Sequence, residues 1–246
     1  METDEYRKMA AVEDGMWYYR ALHAHIGREL AAQCGGRAAK ILDAGCGTGG
    51  LIRRLEKAEP AWRWVGVDAE PLACALARER CAGEIREASV TALPLGAGEF
   101  DAVVSADVLY HLDDDAAALQ EAHRVLRPGG VLVVNVPAYR WLWSYHDEAT
   151  HARRRYGRRE LRAKLEATGF TGLALTHWNA ILLPLVALRR KLLPAPAGGS
   201  DVRSYSRAME RVGNWSMALE RAWLRHVGRL PFGTSILAVA RKPAGG

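Results

Sequence analysis

The chain has 246 residues, 49% of them hydrophobic, and carries 34 Lys and Arg against 28 Asp and Glu for a net charge of +6. That length suits one elaborated domain with a sizeable core, and its apolar stretches are broken by charge well short of the roughly 18 to 20 residues of a membrane span. The charged start METDEYRKMA lacks the apolar core of a secretory signal, so the expected setting is cytoplasmic.

Cys34, Cys46, Cys74 and Cys81 are scattered, with no C-x-x-C pair, so reduced thiols are expected and no metal site or disulfide framework. The positive excess concentrates in HARRRYGRRELRAK (151–164) and LRRK (188–191). Such runs are a solvated helix face or a surface for an anionic substrate or membrane.

In chain order, DEYRKMAAVEDGMWYYRALHAHIGRELAAQ (4–33) predicts one or two helices with an aromatic cluster at Trp17, Tyr18 and Tyr19. From about 40 to 136, short β-rich runs alternate with amphipathic segments. The strands are KILDAG, WRWVGVD, GEIREA, FDAVVSA and GGVLVVNV, and the helices between them LIRRLEKA, PLACALARERCA and DDDAAALQEAHRVLR. RPGG (127–130) is expected to stop the last of these helices. This alternation predicts a doubly wound α/β architecture with a parallel sheet and helices on both faces. A helix at GRRELRAKLEATGF and a strand at TGLALTHW follow, and TSILAVARKP closes the chain as a final strand.

Between those two strands, 179–233 forms a long insertion. It has an apolar helix AILLPLVALRRKLL, a linker PAPAGGSD (194–201) and a second helix over about 203–228. The expected organisation is therefore a helical lid over 1–36, a core over 37–178 and 234–246, and a helical cap over 179–233.

ILDAGCGTGG (41–50) holds the spacing Gly45, Gly47, Gly50 of a nucleotide-binding turn, and Asp68 ends the second strand at the distance that reaches a ribose. A dinucleotide enzyme fits these features equally well. Asp43 tips the balance, because a carboxylate before the first glycine repels a nearby pyrophosphate but can fix the loop and face an ammonium group.

With DAGCGTG, the acidic end of the second strand, FDAVVSADVLYHL and HRVLRPGGVLVV in place, the chain resembles the class I S-adenosylmethionine-dependent methyltransferases, in the subgroup acting mostly on small molecules. The resemblance covers about 40–170 and the last strand. It implies a seven-stranded, mostly parallel sheet whose antiparallel last strand sits between the fifth and sixth, and S-adenosylmethionine as cofactor. It further implies contacts from Asp43, Ala44, Gly45, Cys46 and Gly47 to the methionine and ribose part. Asp68 then takes the ribose, Ala69 lies beside the adenine, and Ser105 and Ala106 end the fourth strand. Where the family usually has an aspartate before Leu-Pro, ASVTALP has Ser89, so Ser89 and Val90 are expected to meet the adenine amine without charge. In related enzymes a leading helix covers the cofactor, which would let Tyr18 shield the sulfonium and Arg20 pair with the methionine carboxylate.

For the acceptor, His111 after the fourth strand is a candidate base or a structural cap for the following helix. In AYRWLWSYHDEATHARRRY, His146 backed by the Asp147 carboxylate is a second candidate, or these two only order a loop. Tyr110, Trp141, Tyr145 and Trp178 are expected at the substrate, the tryptophans alternatively in the core. The apolar stripes Ile181, Leu182, Leu185, Val186, Leu188 and Val212, Trp215, Leu219, Trp223, Val227 are expected to wall the substrate pocket, or to pack on the core or a second subunit.

The expected partner is a small molecule, apolar or anionic, such as a natural product, lipid or phosphorylated sugar intermediate. Oxygen is the first choice of acceptor atom, with nitrogen and carbon open. Peripheral membrane contact and a homodimer remain possible readings beside a monomer. A nucleic-acid substrate is the enzymatic alternative, supported only by the basic balance; a non-catalytic cofactor-binding module is the other.

Overall fold

A computed structural model of the protein describes residues 3–195 and 200–245. Two N-terminal helices, α1 (Thr3–Val12) and α2 (Trp17–Cys34), precede β1 (Ala39–Ala44), α3 (Gly50–Ala58), β2 (Trp62–Asp68), α4 (Pro71–Arg80), β3 (Glu84–Glu87), β4 (Phe100–Ala106), α5 (Asp115–Val125) and β5 (Leu126–Pro137). Then come α6 (Tyr145–Ala149), α7 (Arg158–Ala167), β6 (Thr171–Trp178), α8 (Leu183–Leu192), α9 (Arg207–Val227) and β7 (Ser235–Arg241). Residues 196–199 of the expected PAPAGGSD linker lie outside the described residues.

The sheet order is β3-β2-β1-β4-β5-β7-β6, with β7 antiparallel to both neighbours and the other pairs parallel. This is the sheet the resemblance implied. Successive strand residues face opposite sides, so Leu42, Val103 and Val134 build one core with Ala118, Leu119, Leu161 and Leu165 of α5 and α7. Ile41, Val104 and Val133 build the other with Leu22, Ile26 and Leu30 of α2 and with Ile52 of α3. Ile26 and Leu30 are wholly buried, a gain of about 1.5–3 kcal/mol for each such side chain.

Local chemistry sets the element ends. Asp114 Oδ1 caps α5 by accepting from the Ala117 N–H at 2.9 Å. The helix ends at Val125, and RPGG does not stop it from outside: these residues lie inside β5, where Gly129 takes φ 76° and pairing with β4 shifts register. The S-x-x-D spacing of Ser144 and Asp147 is a capping box that starts the short helix α6.

α9 docks on α2 where Gly213 meets the Trp17 ring; a Cβ there would lie 2.4 Å from Trp17 Cγ. The Glu210 carboxylate accepts the Trp17 backbone N–H at 2.9 Å beside it. Ser200 donates to Glu5 Oε2 at 2.7 Å, tying α1 to the segment between α8 and α9. Both additions therefore meet above the carboxyl edge of the sheet.

Candidate functional site

Strand order reverses at β1, with β2 and β3 to one side and β4 and β5 to the other, so a crevice opens beyond their carboxyl ends. A cavity of about 900 Å3 fills it, roofed by α1, α2 and α8.

The glycine turn forms its floor. Gly45 and Cys46 N–H groups both donate to Val67 O, at 2.7 and 3.0 Å, which folds the chain sharply after β1. Gly45 sits at φ 91°, and a Cβ on it would lie 2.2 Å from Val108 Cγ2, so no side chain fits. Asp68 Oδ2 accepts the Gly47 N–H at 2.9 Å and Oδ1 the Glu70 N–H at 3.0 Å, fixing the carboxylate at the loop. Burial raises its pKa and these backbone donors oppose the rise. Asp43 is almost wholly buried, and burial, then the charges of Asp68 and Glu13, push its pKa up to about 8.

Glu13, from the turn between α1 and α2, closes over this loop by accepting from Thr48 Oγ1 and the Arg80 guanidinium. Burial raises its pKa against the pull of Arg80.

Of the cofactor residues expected from the sequence, Tyr18, Asp43, Gly45, Cys46 and Gly47 line the cavity, and so do Asp68, Ala69, Ser89, Val90 and Ala106. The Ser89 hydroxyl is engaged locally, 2.7 Å from Thr91 Oγ1. Ala44 and Ser105 are buried in strand pairing and do not reach the cavity wall. Arg20 is solvent-exposed and away from it, because two residues along a helix is a turn of about 200° and Tyr18 already takes the inward side.

Three of the four expected substrate residues also lie elsewhere. Trp141 is 52% exposed, turned out by the short helical turn Arg140–Leu142 that buries Leu142, and it stacks on Tyr139. Tyr145 braces the cap, its hydroxyl donating to Asp201 Oδ1 at 2.9 Å. Trp178 is a core residue, fully buried, its Nε1 donating to Asn135 Oδ1 at 2.7 Å. Tyr110 does line the cavity.

Both candidate histidines line it too. His111 is brought down to about 4, chiefly by burial, and its Nδ1 is buried with no hydrogen-bond partner. His146 also falls to about 4, by burial and then the Arg190 charge. Its expected carboxylate support is absent: Asp147 pairs with Arg155, at 2.6 Å to Nε and 3.1 Å to Nη2, and accepts the Ser144 N–H. His146 Nδ1 instead accepts the Asp201 N–H at 3.1 Å, which leaves Nε2 as the protonated nitrogen of the neutral ring.

Sequence reasoning missed Asp107, whose backbone takes φ 55° just past β4. Its carboxylate accepts from Tyr18 OH at 3.0 Å and Asn135 Nδ2 at 2.8 Å, so Trp178, Asn135, Asp107 and Tyr18 form one chain of contacts. Burial pushes Asp107 up to about 6. Aspartate tolerates a left-handed backbone, and an acid just past a parallel strand was the available signal. Tyr6, Met9 and Glu13 of the N-terminal segment were missed as well, with no local signal to find them.

The cavity is thus two-ended. Glu13, Asp43, Asp68 and Asp107 make one end acidic, and Leu182, Leu185, Val186 and Leu188 make the other apolar. Buried carboxylates with raised pKa favour a cationic ligand, whose charge restores their ionised form, over a pyrophosphate. S-adenosylmethionine, a phosphate-free nucleoside carrying a sulfonium and an ammonium, fits this donor set.

The Methyltransferase domain family matches residues 42–134 of the chain. The malonyl-[acyl-carrier protein] O-methyltransferase of Enterobacter lignolyticus is 31% identical over 202 residues, 79% of this chain and 78% of that protein. The demethylmenaquinone methyltransferase of Thermus thermophilus is 42% identical over 100 residues, 39% of this chain and 46% of that one. A solved SAM-dependent methyltransferase from Archaeoglobus fulgidus shares the fold at a TM-score of 0.59 and 18% identity, covering 89% of this chain and 92% of that one. The chain spans about half the length of most of the curated relatives it matches.

Proposed function

The chain belongs to the class I S-adenosylmethionine-dependent methyltransferases, and on that premise we propose that it methylates a small amphipathic acceptor held between α8 and the carboxyl ends of β4 and β5. The observation that carries this reading is the two-ended cavity, acidic at the glycine turn and apolar under α8. The malonyl-carrier and demethylmenaquinone specificities in the relatives' names are consistent with acceptors of that kind. The division into lid (1–36), core (37–178, 234–246) and cap (179–233) is proposed on the same ground.

Bound in this cavity, S-adenosylmethionine supplies an electrophilic methyl group on a sulfonium. Asp68 would accept hydrogen bonds from the ribose hydroxyls, Val90 and the Ser89 backbone would hold the adenine, and Asp43 with the Gly45–Gly47 turn would receive the ammonium. The Tyr18 ring, held by Asp107 and by stacking on Trp178 at 5.1 Å, would offer an aromatic face to the sulfonium charge.

Methyl transfer asks the protein chiefly for alignment and exclusion of water. A base is needed only if the acceptor arrives protonated. Oxygen is our first choice of acceptor atom, and His111 takes its proton, because burial keeps that imidazole neutral and its Nδ1 has no other partner. His146, with Nε2 as donor, orients an acceptor oxygen.

The test is calorimetric titration with S-adenosylmethionine, S-adenosylhomocysteine and NAD, followed by transfer of a labelled methyl group to a panel of amphipathic hydroxylated acceptors. Binding of both adenosyl ligands without NAD, and label in one acceptor class, is expected. Tight cofactor binding with no transfer to any acceptor would instead make the chain a binding module.

A further inference from the structure

The segment between β6 and β7 is charged and greasy in an unusual division. Residues 179–233 hold nine Lys and Arg against three acids, a surplus of six that equals the net charge of the whole chain. All three acids are turned inward: Asp201 pairs with Arg190 at 2.8 Å, Glu210 accepts the Trp17 N–H and Glu220 accepts the Ile181 N–H at 2.8 Å. What the segment offers to solvent is basic.

α9 also presents a second apolar face. At 100° per residue, Val212, Trp215, Leu219, Trp223 and Val227 fall in an arc of about 120°. All five are exposed, Trp215 at 63% and Trp223 at 53%. Met209, one turn before Val212 on the same arc, lines the cavity, as do the exposed Leu185 and Leu188 of α8. The apolar strip therefore runs from the cavity mouth along the outside of the helix. Arg207, Arg211 and Arg225 stand exposed on the adjoining arc.

We propose that α9 lies in the surface of an anionic phospholipid membrane, with Trp215 and Trp223 at the acyl boundary and the arginines on headgroup phosphates. No helix among the described residues is long and apolar enough to cross a membrane, so the contact is peripheral. The pairing of an aromatic apolar face with a basic one is what such an interface selects. A second copy of the chain is a poor occupant, because it would bring two surfaces with the same surplus of six positive charges together. If the proposed acceptor site is correct, the acceptor enters between α8 and α9 from the lipid; this last step rests on that reading, while the docking does not.

The experiment is co-sedimentation of the full chain with vesicles of phosphatidylcholine alone and of phosphatidylcholine mixed with phosphatidylglycerol, at low and high salt. Binding to the anionic vesicles only, weakened by salt and accompanied by a blue shift of tryptophan emission, is expected. Trp215→Glu/Trp223→Glu should lower vesicle affinity about tenfold or more, since charge replaces the buried anchors. Its S-adenosylhomocysteine affinity and cooperative unfolding should match the parent chain, since neither tryptophan touches the cavity. Failure to sediment with anionic vesicles at low salt overturns the proposal, as does vesicle binding that the double variant leaves unchanged. A parent dimer that the variant converts to a monomer, without vesicle binding, assigns the face to a second copy instead. Loss of S-adenosylhomocysteine binding in the parent chain would refute the cofactor reading, independently of the vesicle result.

Discussion

Asp68→Ala tests the cofactor end most directly. The carboxylate accepts two backbone N–H groups, from Gly47 and Glu70, and has lone pairs left toward the cavity. Hydrogen bonds to a charged group contribute about 1.5–3 kcal/mol each, and Asp68 is only partly shielded from water, so the lower figure applies to both ribose hydroxyls. Their loss costs about 3 kcal/mol, more than a hundredfold in Kd for S-adenosylhomocysteine. Stability should change far less. The freed Gly47 N–H borders the cavity, where water can replace the carboxylate, and removing Asp68 also relieves one of the charges that raise the Asp43 pKa. Asp68→Asn retains one acceptor oxygen and should fall between the two. Calorimetric titration of all three proteins, beside their urea unfolding curves, checks both quantities. An Asp68→Ala protein that unfolds cooperatively and binds within about threefold of the parent would refute the assignment of this residue.

The other predictions concern Asp43, His111 and Gly45. Asp43 has a pKa of about 8 in the folded protein against 3.8 ordinarily, so between those values the fold holds a proton that the unfolded chain has released. Stability of the ligand-free protein should therefore fall as pH rises from about 4 to about 8. Asp43→Asn should flatten that slope in urea midpoints measured against pH, and equal slopes would count against the assignment. Ligand binding at pH 7 should also release a proton from Asp43, read as a buffer-dependent calorimetric enthalpy that the variant lacks. His111 is neutral above about 4, so turnover on a hydroxyl acceptor should fall as pH drops through that region rather than near 6.5. His111→Gln should lower kcat by about a hundredfold with the cofactor Kd unchanged, and an unaltered kcat would remove the histidine from the mechanism. Gly45→Ala places a Cβ against Val108 at a φ of 91° and should cost about 1–3 kcal/mol of stability with loss of cofactor binding. Val108→Ala in the same chain should recover part of this, since it relieves the clash and not the backbone strain. No recovery would place the whole cost in the backbone.

The strands and the glycine turn were legible because their signals are local. A β-rich run between turn residues needs no partner to be recognised, and Asp68 follows from the strand end it occupies. Trp178 was not legible in this way. An aromatic ending a strand reads the same whether it points to a cavity or a core, and only the partner Asn135, across the sheet on β5, decides. The same holds for Asp147, whose ion pair with Arg155 draws it away from the adjacent His146. Asp107 had a local signal, an acid just past a parallel strand, but Glu13 depends on Thr48 and Arg80, the latter 67 residues distant, which no local pattern encodes.

The cap shows why periodicity alone cannot place an apolar stripe. Both stripes read from the sequence have helical spacing, yet Leu182, Leu185, Val186 and Leu188 face the cavity while Val212, Trp215, Leu219, Trp223 and Val227 face away from it. In α9 the buried arc carries Gly213, Ser216, Met217, Glu220 and Leu224, and the tryptophans are outside. Gly213 is small because the Trp17 ring from α2 occupies that place, so this face is set by its partner within the chain. No such constraint acts on the outer face. Large apolar residues there at every turn oppose solubility, and their coincidence with a surplus of six positive charges in the same segment is the physical ground for an anionic, apolar surface as the partner.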